Sequence, residues 1–331
     1  MLRLPSLTSL HKRATRRSLK SVEPVSRRHC RTRLTPSFTL SEPKPVSHRQ
    51  LNELVKQITS ALLYLGVTSS TAPIAERPRA SIYADTSMNW QLLSQAFARL
   101  GMPITTAYTT LGEEGLETSL VEPDVGVVFC GPDQVSMVAK VLPRAEKVKW
   151  VVYDGEARAD QVHLQLVSIV WLADRQAALA AIGDVLGTRK GQVIPLSRLL
   201  EMGNANPAED LGPKPQPSDL FCIMYTSGST GPPKGVLLTH GNVIASLAGS
   251  TMLYGKYFDP KTDLLLAYLP LAHILEQFLE FTFYLLGVQV GYATVKTLLD
   301  DSVRNCRGDF AAYKPVGRLR DPAETIAYGR P

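Results

Sequence analysis

The most chemically suggestive stretch of the sequence is a run of glycine, hydroxyl and lysine residues at positions 226–235, reading TSGSTGPPKG. Apolar runs flank it on both sides, a pattern typical of a loop between two β-strands. Gly228 and Gly231 allow positive φ, so successive N–H groups can point into one concavity. The hydroxyls add donors and Lys234 adds a mobile positive charge. The sequence therefore predicts an oxyanion-binding loop suited to a triphosphate.

The Walker A pattern, GxxxxGK[ST], is the obvious comparison for such a loop. Counting from Gly228 places Lys234 at the seventh position, as that pattern requires. However, Pro233 stands where the second glycine should be, and Gly235 replaces the Ser or Thr that would hold Mg²⁺. The two prolines also stiffen a return limb that a Walker loop would open into a helix. We therefore expect a different class of phosphate-binding loop, with a ligand-free surface turn as the alternative.

Residues 225–236 resemble the signature loop of adenylate-forming enzymes, the superfamily of acyl-CoA synthetases, luciferases and peptide-synthetase adenylation domains. Other phrases narrow the resemblance to the N-terminal part of long-chain fatty acyl-CoA synthetases, particularly the fungal type. They occur in the same order along the chain and include residues 103–124, 142–157, 269–277 (LPLAHILEQ) and 287–315.

This resemblance implies ATP-dependent activation of a long-chain fatty acid to acyl-CoA through an acyl-adenylate, with ATP, Mg²⁺ and CoA as cofactor and co-substrates. It assigns His273 to the acyl or CoA side of the active site as the catalytic candidate, although on chemistry alone this histidine would more often be a core residue. It assigns Thr230 to Mg²⁺. The expected nucleotide-binding residues are Tyr225, Thr226, Ser227, Gly228, Ser229, Thr230, Gly231 and Lys234.

The resemblance ends near residue 315. Residues 316–331 contain arginines and a proline and would make a poor buried strand. The family motifs for adenine and the magnesium-binding acid, the ribose-binding aspartate and the catalytic lysine of a small C-terminal domain have no counterpart in the sequence. We therefore expect a fragment truncated before that domain and inactive or nearly so. A ligase for another carboxylic acid and a non-catalytic lipid-surface or regulatory module with a relic loop remain alternatives.

The charge of the chain is concentrated at its N-terminus. Residues 1–50 hold twelve Lys or Arg against two Glu, whereas the rest has 24 basic and 28 acidic residues. We expect residues 1–49 to form a basic, disordered arm, with an organelle transit peptide as an alternative. The arm suggests an anionic membrane surface as a partner, without nucleic acid. The expected location is the cytosolic face of the endoplasmic reticulum or a lipid droplet, or alternatively a mitochondrion or peroxisome.

Apolar strand-like runs alternate with helical patterns between residues 50 and 153, which predicts an α/β fold of parallel βαβ units with a sheet covered on both faces. The resemblance specifies this as the N-terminal part of the adenylate-forming fold. We expect a first α/β subdomain over 50–203 with an atypical insertion near 157–190, in which Trp171, Ala178 and Val185 would face inward on a helix. A Pro-rich linker over 204–218 would lead to a phosphate-loop subdomain over 219–315 and an atypical tail over 316–331.

Two further patterns bear on the class of protein. The four cysteines, Cys30, Cys130, Cys222 and Cys306, show no metal-ligand spacing, and Cys130 and Cys222 lie in apolar runs, which predicts buried, reduced thiols. The most apolar stretch, residues 264–292, is interrupted by His273, Glu276, Gln277 and Glu280 and is therefore predicted to be a core helix rather than a membrane span.

A short helix is predicted to begin near residue 241, and Gly249 is expected to end it.

Overall fold

The computed structural model describes residues 2–4, 44–155, 166–226 and 234–293. Its helices are α1 (His48–Tyr64), α2 (Met88–Arg99), α3 (Glu113–Val121), α4 (Val135–Val141), α5 (Leu166–Thr188), α6 (Leu196–Ala205), α7 (His240–Tyr254) and α8 (Ile274–Leu286). Its strands are β1 (Leu2–Leu4), β2 (Lys44–Val46), β3 (Arg79–Tyr83), β4 (Ile104–Thr106), β5 (Val125–Cys130), β6 (Trp150–Tyr153), β7 (Gln192–Pro195), β8 (Leu220–Thr226), β9 (Lys234–Thr239), β10 (Leu264–Ala267) and β11 (Gln289–Tyr292).

A seven-stranded sheet forms the centre of the molecule, with the strand order β7-β6-β5-β3-β4-β8-β9. Every neighbouring pair is parallel except β8 and β9, which form an antiparallel hairpin at one edge. The predicted α/β class with a mostly parallel sheet is therefore confirmed. Since the strands run parallel, the carboxyl ends of β3, β4 and β8 lie together at one edge of the sheet, where α/β proteins commonly bind ligands.

Helices cover both faces of this sheet, because successive strand residues point to opposite sides. On one face Ile82 and Phe129 pack with α1, α2 and α6, and on the other Val128 packs with α3, α4 and α5. The close contact between α1 and α6 depends on Gly203, since a Cβ atom there would lie 1.7 Å from the carbonyl oxygen of Gln57. The apolar strands predicted from sequence are thus the buried interior of a three-layer structure.

Helix α5 forms part of the cover rather than an isolated excursion. Ala178 and Val185 are partly buried against the core as predicted, and Ile182 and Leu186 on the same face are fully buried. The side chain of Trp171 lies outside the described residues. Strand β7 then extends the sheet beside β6. Residues 166–195 therefore supply one helix and one strand of the main sheet, while the assignment of 157–190 as an insertion stays a prediction.

Strands β8 and β9 belong to the same sheet as residues 79–195, because β8 pairs directly with β4. The chain therefore returns to this sheet after the proline-containing segment 204–218. A second, two-stranded sheet formed by β10 and β11 lies with α7 and α8. The domain boundaries proposed from the sequence stay predictions, but a boundary at 204–218 falls within one continuous hydrogen-bonded sheet.

The predicted end of α7 at Gly249 was wrong. The helix continues to Tyr254, and a Cβ atom at Gly249 would meet nothing within 4 Å, so the glycine is tolerated inside the helix without being required to end it. Helix α7 begins with a capping box in which Thr239 and Asn242 satisfy each other's backbone N–H groups. By contrast, α8 does end at a glycine, Gly287, whose φ of 72° is left-handed.

The N-terminal arm is described only in part. Strands β1 and β2 pair in an antiparallel fashion, and α1 begins at His48 after a Ser47 cap. Residues 5–43, and with them the predicted disorder of most of the arm, lie outside the described residues, as does the tail 316–331. Among the described helices, none combines the length and apolar character that crossing a membrane would require.

The prediction for the two strand cysteines is confirmed. Cys130 and Cys222 are free thiols with no exposed surface. Burial raises the pKa of the Cys130 thiol to about 12, and burial also raises the pKa of Cys222, so both stay protonated at neutral pH. Cys30 and Cys306 lie outside the described residues.

Candidate functional site

The β8–β9 hairpin supplies the base of the predicted phosphate loop. Thr226, the last residue of β8, is paired with Lys234, the first residue of β9. The two ends of the loop are therefore neighbours in an antiparallel ladder, as predicted for a loop between two strands. The loop itself, residues 227–233, lies outside the described residues. The roles assigned to Ser227, Gly228, Ser229, Thr230 and Gly231, including Thr230 as a magnesium ligand, consequently stay predictions.

Lys234 is exposed at the carboxyl-end edge of the sheet, beside the terminus of β8. The next residue, Gly235, lies opposite Tyr225, and a Cβ atom there would come within 2.9 Å of the Ile223 side chain. A glycine at 235 therefore allows β9 to pair closely with β8 immediately after the lysine. Lys234 is therefore the first described residue after the predicted loop, and its assignment to phosphate stays a prediction.

Tyr225 has its hydroxyl engaged with a different residue. The phenol donates a hydrogen bond of 3.0 Å to Oε2 of Glu122, which follows α3. Burial, together with the hydrogen bond and the negative charge of Glu122, raises the pKa of Tyr225 well above its usual range. The Tyr225 side chain therefore joins β8 to the α3 side of the sheet, and its assignment to the nucleotide stays a prediction.

His273 is the N-terminal cap of α8. Its Nδ1 accepts a hydrogen bond of 3.1 Å from the Leu275 N–H, so the ring proton of the neutral imidazole lies on Nε2. The side chain is exposed, which separates it from the core histidine that was the alternative reading of the sequence. The Nε2–H group is thus left pointing away from the cap as a potential donor to a ligand.

Two threonines hold the connection that carries His273, residues 268–273, against the edge of the sheet where β8 ends. Thr86 follows β3 and bonds to residues 269 and 271, and Thr106 ends β4 and donates to the carbonyl oxygen of Ala272 at 3.1 Å. Thr106 is also paired with Met224 in β8, two residues before the end of that strand. The connection that carries His273 therefore lies at the same edge of the sheet as the paired residues Thr226 and Lys234, although His273 is distant from both in the sequence.

An apolar groove runs between α7 and α8, and its lining on α8 begins with Ile274 and Leu275, the two residues after His273. It has a volume of about 560 Å³ and contains only a few polar groups. Its walls include Leu238, Val243, Leu253, Ile274, Phe278 and Phe281. Large side chains at its margins are exposed, among them Leu275 and Leu253. A groove of this size and character can hold an apolar ligand.

The opposite face of α8 carries a buried polar cluster that the sequence reading treated only as interruptions of an apolar run. Oε2 of Glu280 accepts hydrogen bonds from Tyr292 at 2.7 Å and from Tyr284 at 3.4 Å. Burial raises the pKa of Glu276 to about 8, and burial, with the negative charge of Glu276, raises that of Glu280 well above its usual range. The i, i+4 spacing of these glutamates on a helix was the available signal that they share one face.

Comparison with known proteins shows the family to which the chain belongs. The AMP-binding enzyme family matches residues 25–316. Long-chain-fatty-acid–CoA ligase 2 of Schizosaccharomyces pombe is 33% identical over 291 residues, which cover 88% of this chain and 38% of that protein. Long-chain-fatty-acid–CoA ligase 1 of Saccharomyces cerevisiae is 35% identical over 282 residues, or 84% of this chain and 38% of that protein.

A solved structure shows the same fold at low sequence identity. The adenylation domain of the carboxylic acid reductase of Segniliparus rugosus, determined with AMP and a co-purified carboxylic acid, superposes with a TM-score of 0.62 at 18% identity. The match covers 81% of this chain and 41% of that one. The present chain thus spans about 38% of the length of the curated ligases it matches. It belongs to the AMP-binding enzyme family, and its relatives include the fungal long-chain-fatty-acid–CoA ligases.

Proposed function

We propose that this chain contributes the phosphate-binding loop and the acyl-chain groove of an ATP-dependent long-chain fatty acid–CoA ligase. The observation that carries the proposal is that Thr106 bonds the His273 connection to the strand beside β8, which leads into the loop, and that an apolar groove lined by Ile274 and Leu275 begins directly after His273. In the proposed reaction, the fatty carboxylate attacks the α-phosphate of ATP and releases pyrophosphate. The CoA thiol then attacks the acyl-adenylate and releases AMP.

Each described part has a distinct task in this proposal. Lys234 lies next to the loop and would hold phosphate oxygens by charge-assisted hydrogen bonds as negative charge shifts to the leaving pyrophosphate. The α7–α8 groove would hold the aliphatic chain and exclude water from it. His273 would present Nε2–H near the start of the groove, where the carboxylate of the fatty acid would lie. The carboxylate would thereby be directed toward the phosphates rather than into solvent.

Magnesium and CoA enter the proposal at a coarser level. Mg²⁺ bound to the triphosphate would neutralise charge on the phosphate oxygens. Hydroxyl groups at positions 226–230 have the oxygen chemistry that Mg²⁺ accepts, and Thr230 is the proposed ligand among them. Because the sequence lacks the family's motifs for the magnesium-binding acid and for the catalytic lysine, we propose that these 331 residues bind ATP and fatty acid without completing the ligation.

Calorimetric titration of the chain with Mg-ATP tests the nucleotide part of the proposal. We expect measurable binding that weakens roughly 10- to 100-fold in Lys234→Ala, the loss that one charge-assisted hydrogen bond supplies. Lys214→Ala removes an equal charge from the exposed segment 204–218 and should leave binding unchanged. If folded protein gives no heat with Mg-ATP, or if both variants weaken alike, the loop is not the nucleotide site.

Pyrophosphate exchange with palmitate separates binding from catalysis. We expect no ATP-dependent exchange above background from the chain alone. Exchange that disappears in Lys234→Ala would instead show that these residues are sufficient for adenylation.

We also propose that the basic arm attaches the protein peripherally to an anionic membrane surface, on the cytosolic face of the endoplasmic reticulum or on a lipid droplet, with mitochondrion or peroxisome as alternatives. The excess of positive charge in residues 1–50 supports this. In flotation with vesicles containing phosphatidylserine, the full chain should float with the vesicles, whereas a form lacking residues 1–49 should not. Recovery that is equal for both forms would contradict the role of the arm.

A further inference from the structure

The connection between β10 and α8 is held against the main sheet by two threonine hydroxyl groups, which we call the threonine clasp (Thr86 and Thr106). The connection, residues 268–273, carries His273 at its end and has little pairing of its own. Its described backbone bonds outside helices and strands are the short turn from the His273 N–H to the Pro270 carbonyl oxygen, at 2.9 Å, and a bond of 3.4 Å that the His273 carbonyl oxygen accepts from the Gln277 N–H of α8. Its position relative to the sheet therefore depends on side chains that reach it from elsewhere.

Thr86 contacts this connection twice. Its hydroxyl accepts a hydrogen bond of 2.9 Å from the Leu271 N–H and donates one to the Leu269 carbonyl oxygen. A single hydroxyl thus satisfies a donor and an acceptor two residues apart, as a partner strand would. Because Thr86 follows β3 by only three residues, the connection is fixed to the carboxyl end of a central strand.

Thr106 supplies the third bond, from the end of the adjacent strand. Its hydroxyl is buried and donates to the Ala272 carbonyl oxygen at 3.1 Å. Since Thr106 is paired with Met224 in β8, this bond sets the distance between the His273 connection and the strand that leads into the phosphate loop. On the far side, Gln277 Nε2 donates to the Leu271 carbonyl oxygen at 2.9 Å, which joins the same residues to α8.

We propose that Thr86 and Thr106 are positioning residues, which act through the backbone of residues 269–272 to fix the His273 imidazole at the start of α8 relative to the carboxyl ends of β3 and β4. The identity of the acyl ligand in this inference rests on the proposed function. The hydrogen bonds and their effect on the imidazole do not. Within the described residues, no other side-chain hydrogen bonds join this connection to β3 or β4 or to the turns that follow them.

The matched variants are Thr86→Val, Thr106→Val, Thr86→Ser and Thr106→Ser. Valine keeps the shape of threonine without its hydroxyl, whereas serine keeps the hydroxyl without the methyl group. Thr188→Val is the control, because its hydroxyl also donates to a carbonyl, that of Val185, at 2.7 Å, but lies on the surface of α5. His273→Gln identifies the His273 ring resonances in NMR spectra of the labelled chain.

In the absence of ligand, we expect Thr86→Val to increase hydrogen exchange of the Leu271 amide at least tenfold and Thr106→Val to shift the Ala272 carbonyl resonance. Both valine variants should move the His273 ring resonances. The serine variants should restore wild-type values, and Thr188→Val should match the unmutated chain. His273 resonances that stay in place in both folded valine variants, or serine variants that behave like valine, would overturn the positioning role.

The second experiment is a titration of the same variants with palmitate, followed by NMR. We expect palmitate to shift the His273 ring resonances of the unmutated chain and of the serine variants, and this response to fall by at least half in the valine variants. If palmitate shifts no resonance in the unmutated chain, the proposed acyl site is wrong, while the ligand-free spectra still decide whether the threonine clasp sets the imidazole position.

Discussion

At the scale of single residues, the least expected feature is the pair of buried glutamates on α8. Glu276 and Glu280 have only 2% and 0% of their surface exposed, and a carboxylate in such surroundings loses hydration that two tyrosine hydroxyls replace only in part. Burial raises the pKa of both carboxyl groups and makes protonation the favoured state at neutral pH. The face of α8 opposite the α7–α8 groove is therefore held by neutral hydrogen-bonding groups rather than by an ion pair.

This protonation predicts how stability depends on pH. Since the pKa of Glu276 is raised from an ordinary 4.5 to about 8 by folding, the folded chain binds more protons than the unfolded chain between these values, and the free energy of unfolding falls as pH rises from about 5 to 8. Glu276→Gln removes this titration. We expect the variant to gain stability relative to wild type as pH rises, by up to a few kcal/mol at pH 8.

Urea denaturation at pH 6, 7 and 8 measures this effect, with Glu209→Gln as a control at an exposed acidic position. A constant difference in unfolding free energy between wild type and Glu276→Gln across the three pH values would show that Glu276 does not titrate in this range.

At the scale of elements, the contact between α1 and α6 is set by a glycine. Gly203→Ala would place a methyl group 1.7 Å from the Gln57 carbonyl oxygen and 2.5 Å from its carbon, so one helix must move away. We expect a loss of about 2–4 kcal/mol in unfolding free energy, typical of overpacking against backbone. Thermal and urea unfolding followed by circular dichroism measure the change.

Gly187→Ala is the matched control for Gly203→Ala, at a helical glycine that makes no close contact. Gly187 lies in α5, and a Cβ atom there meets nothing within 4 Å. Alanine should therefore stabilise the chain by about 0.5–1 kcal/mol through its better helix propensity. Equal destabilisation by both substitutions would mean that the glycines matter for another reason than the α1–α6 distance.

At the scale of the whole molecule, the pairing of β8 with β4 makes the regions before and after residues 204–218 interdependent. Cutting the chain at 203 would separate β8 from β4. Strand β4 would then have an unpaired edge, and the β8–β9 hairpin would lose the strand that joins it to the rest of the sheet. We expect residues 1–203 and 204–331, produced separately, to lack cooperative thermal unfolding, because each exposes an apolar face and an unpaired strand. Independent sharp transitions in both pieces would establish two folding units.

Much of this architecture could be predicted from the sequence, and the limits have a physical origin. The alternation of apolar strand-like runs with helical patterns between residues 50 and 153 follows from local periodicity, and it predicted the mostly parallel sheet covered by helices. Strand order and the threonine clasp could not be read in this way, because Thr86 and Leu271 lie 185 residues apart and hydroxyl residues of this kind are common in sequence. The length of α7 was also missed, since an isolated glycine can end a helix or lie harmlessly inside it.

The reactivity of the two strand cysteines can be used to measure how often the sheet opens. Cys130 in β5 and Cys222 in β8 lie on either side of β3 and β4, with sulfur atoms that solvent does not reach and thiols that remain protonated. An alkylating reagent can modify them only when these strands separate. The rate of modification under native conditions therefore measures how often the centre of the molecule opens, and a nucleotide or fatty acid that binds the closed form should slow it.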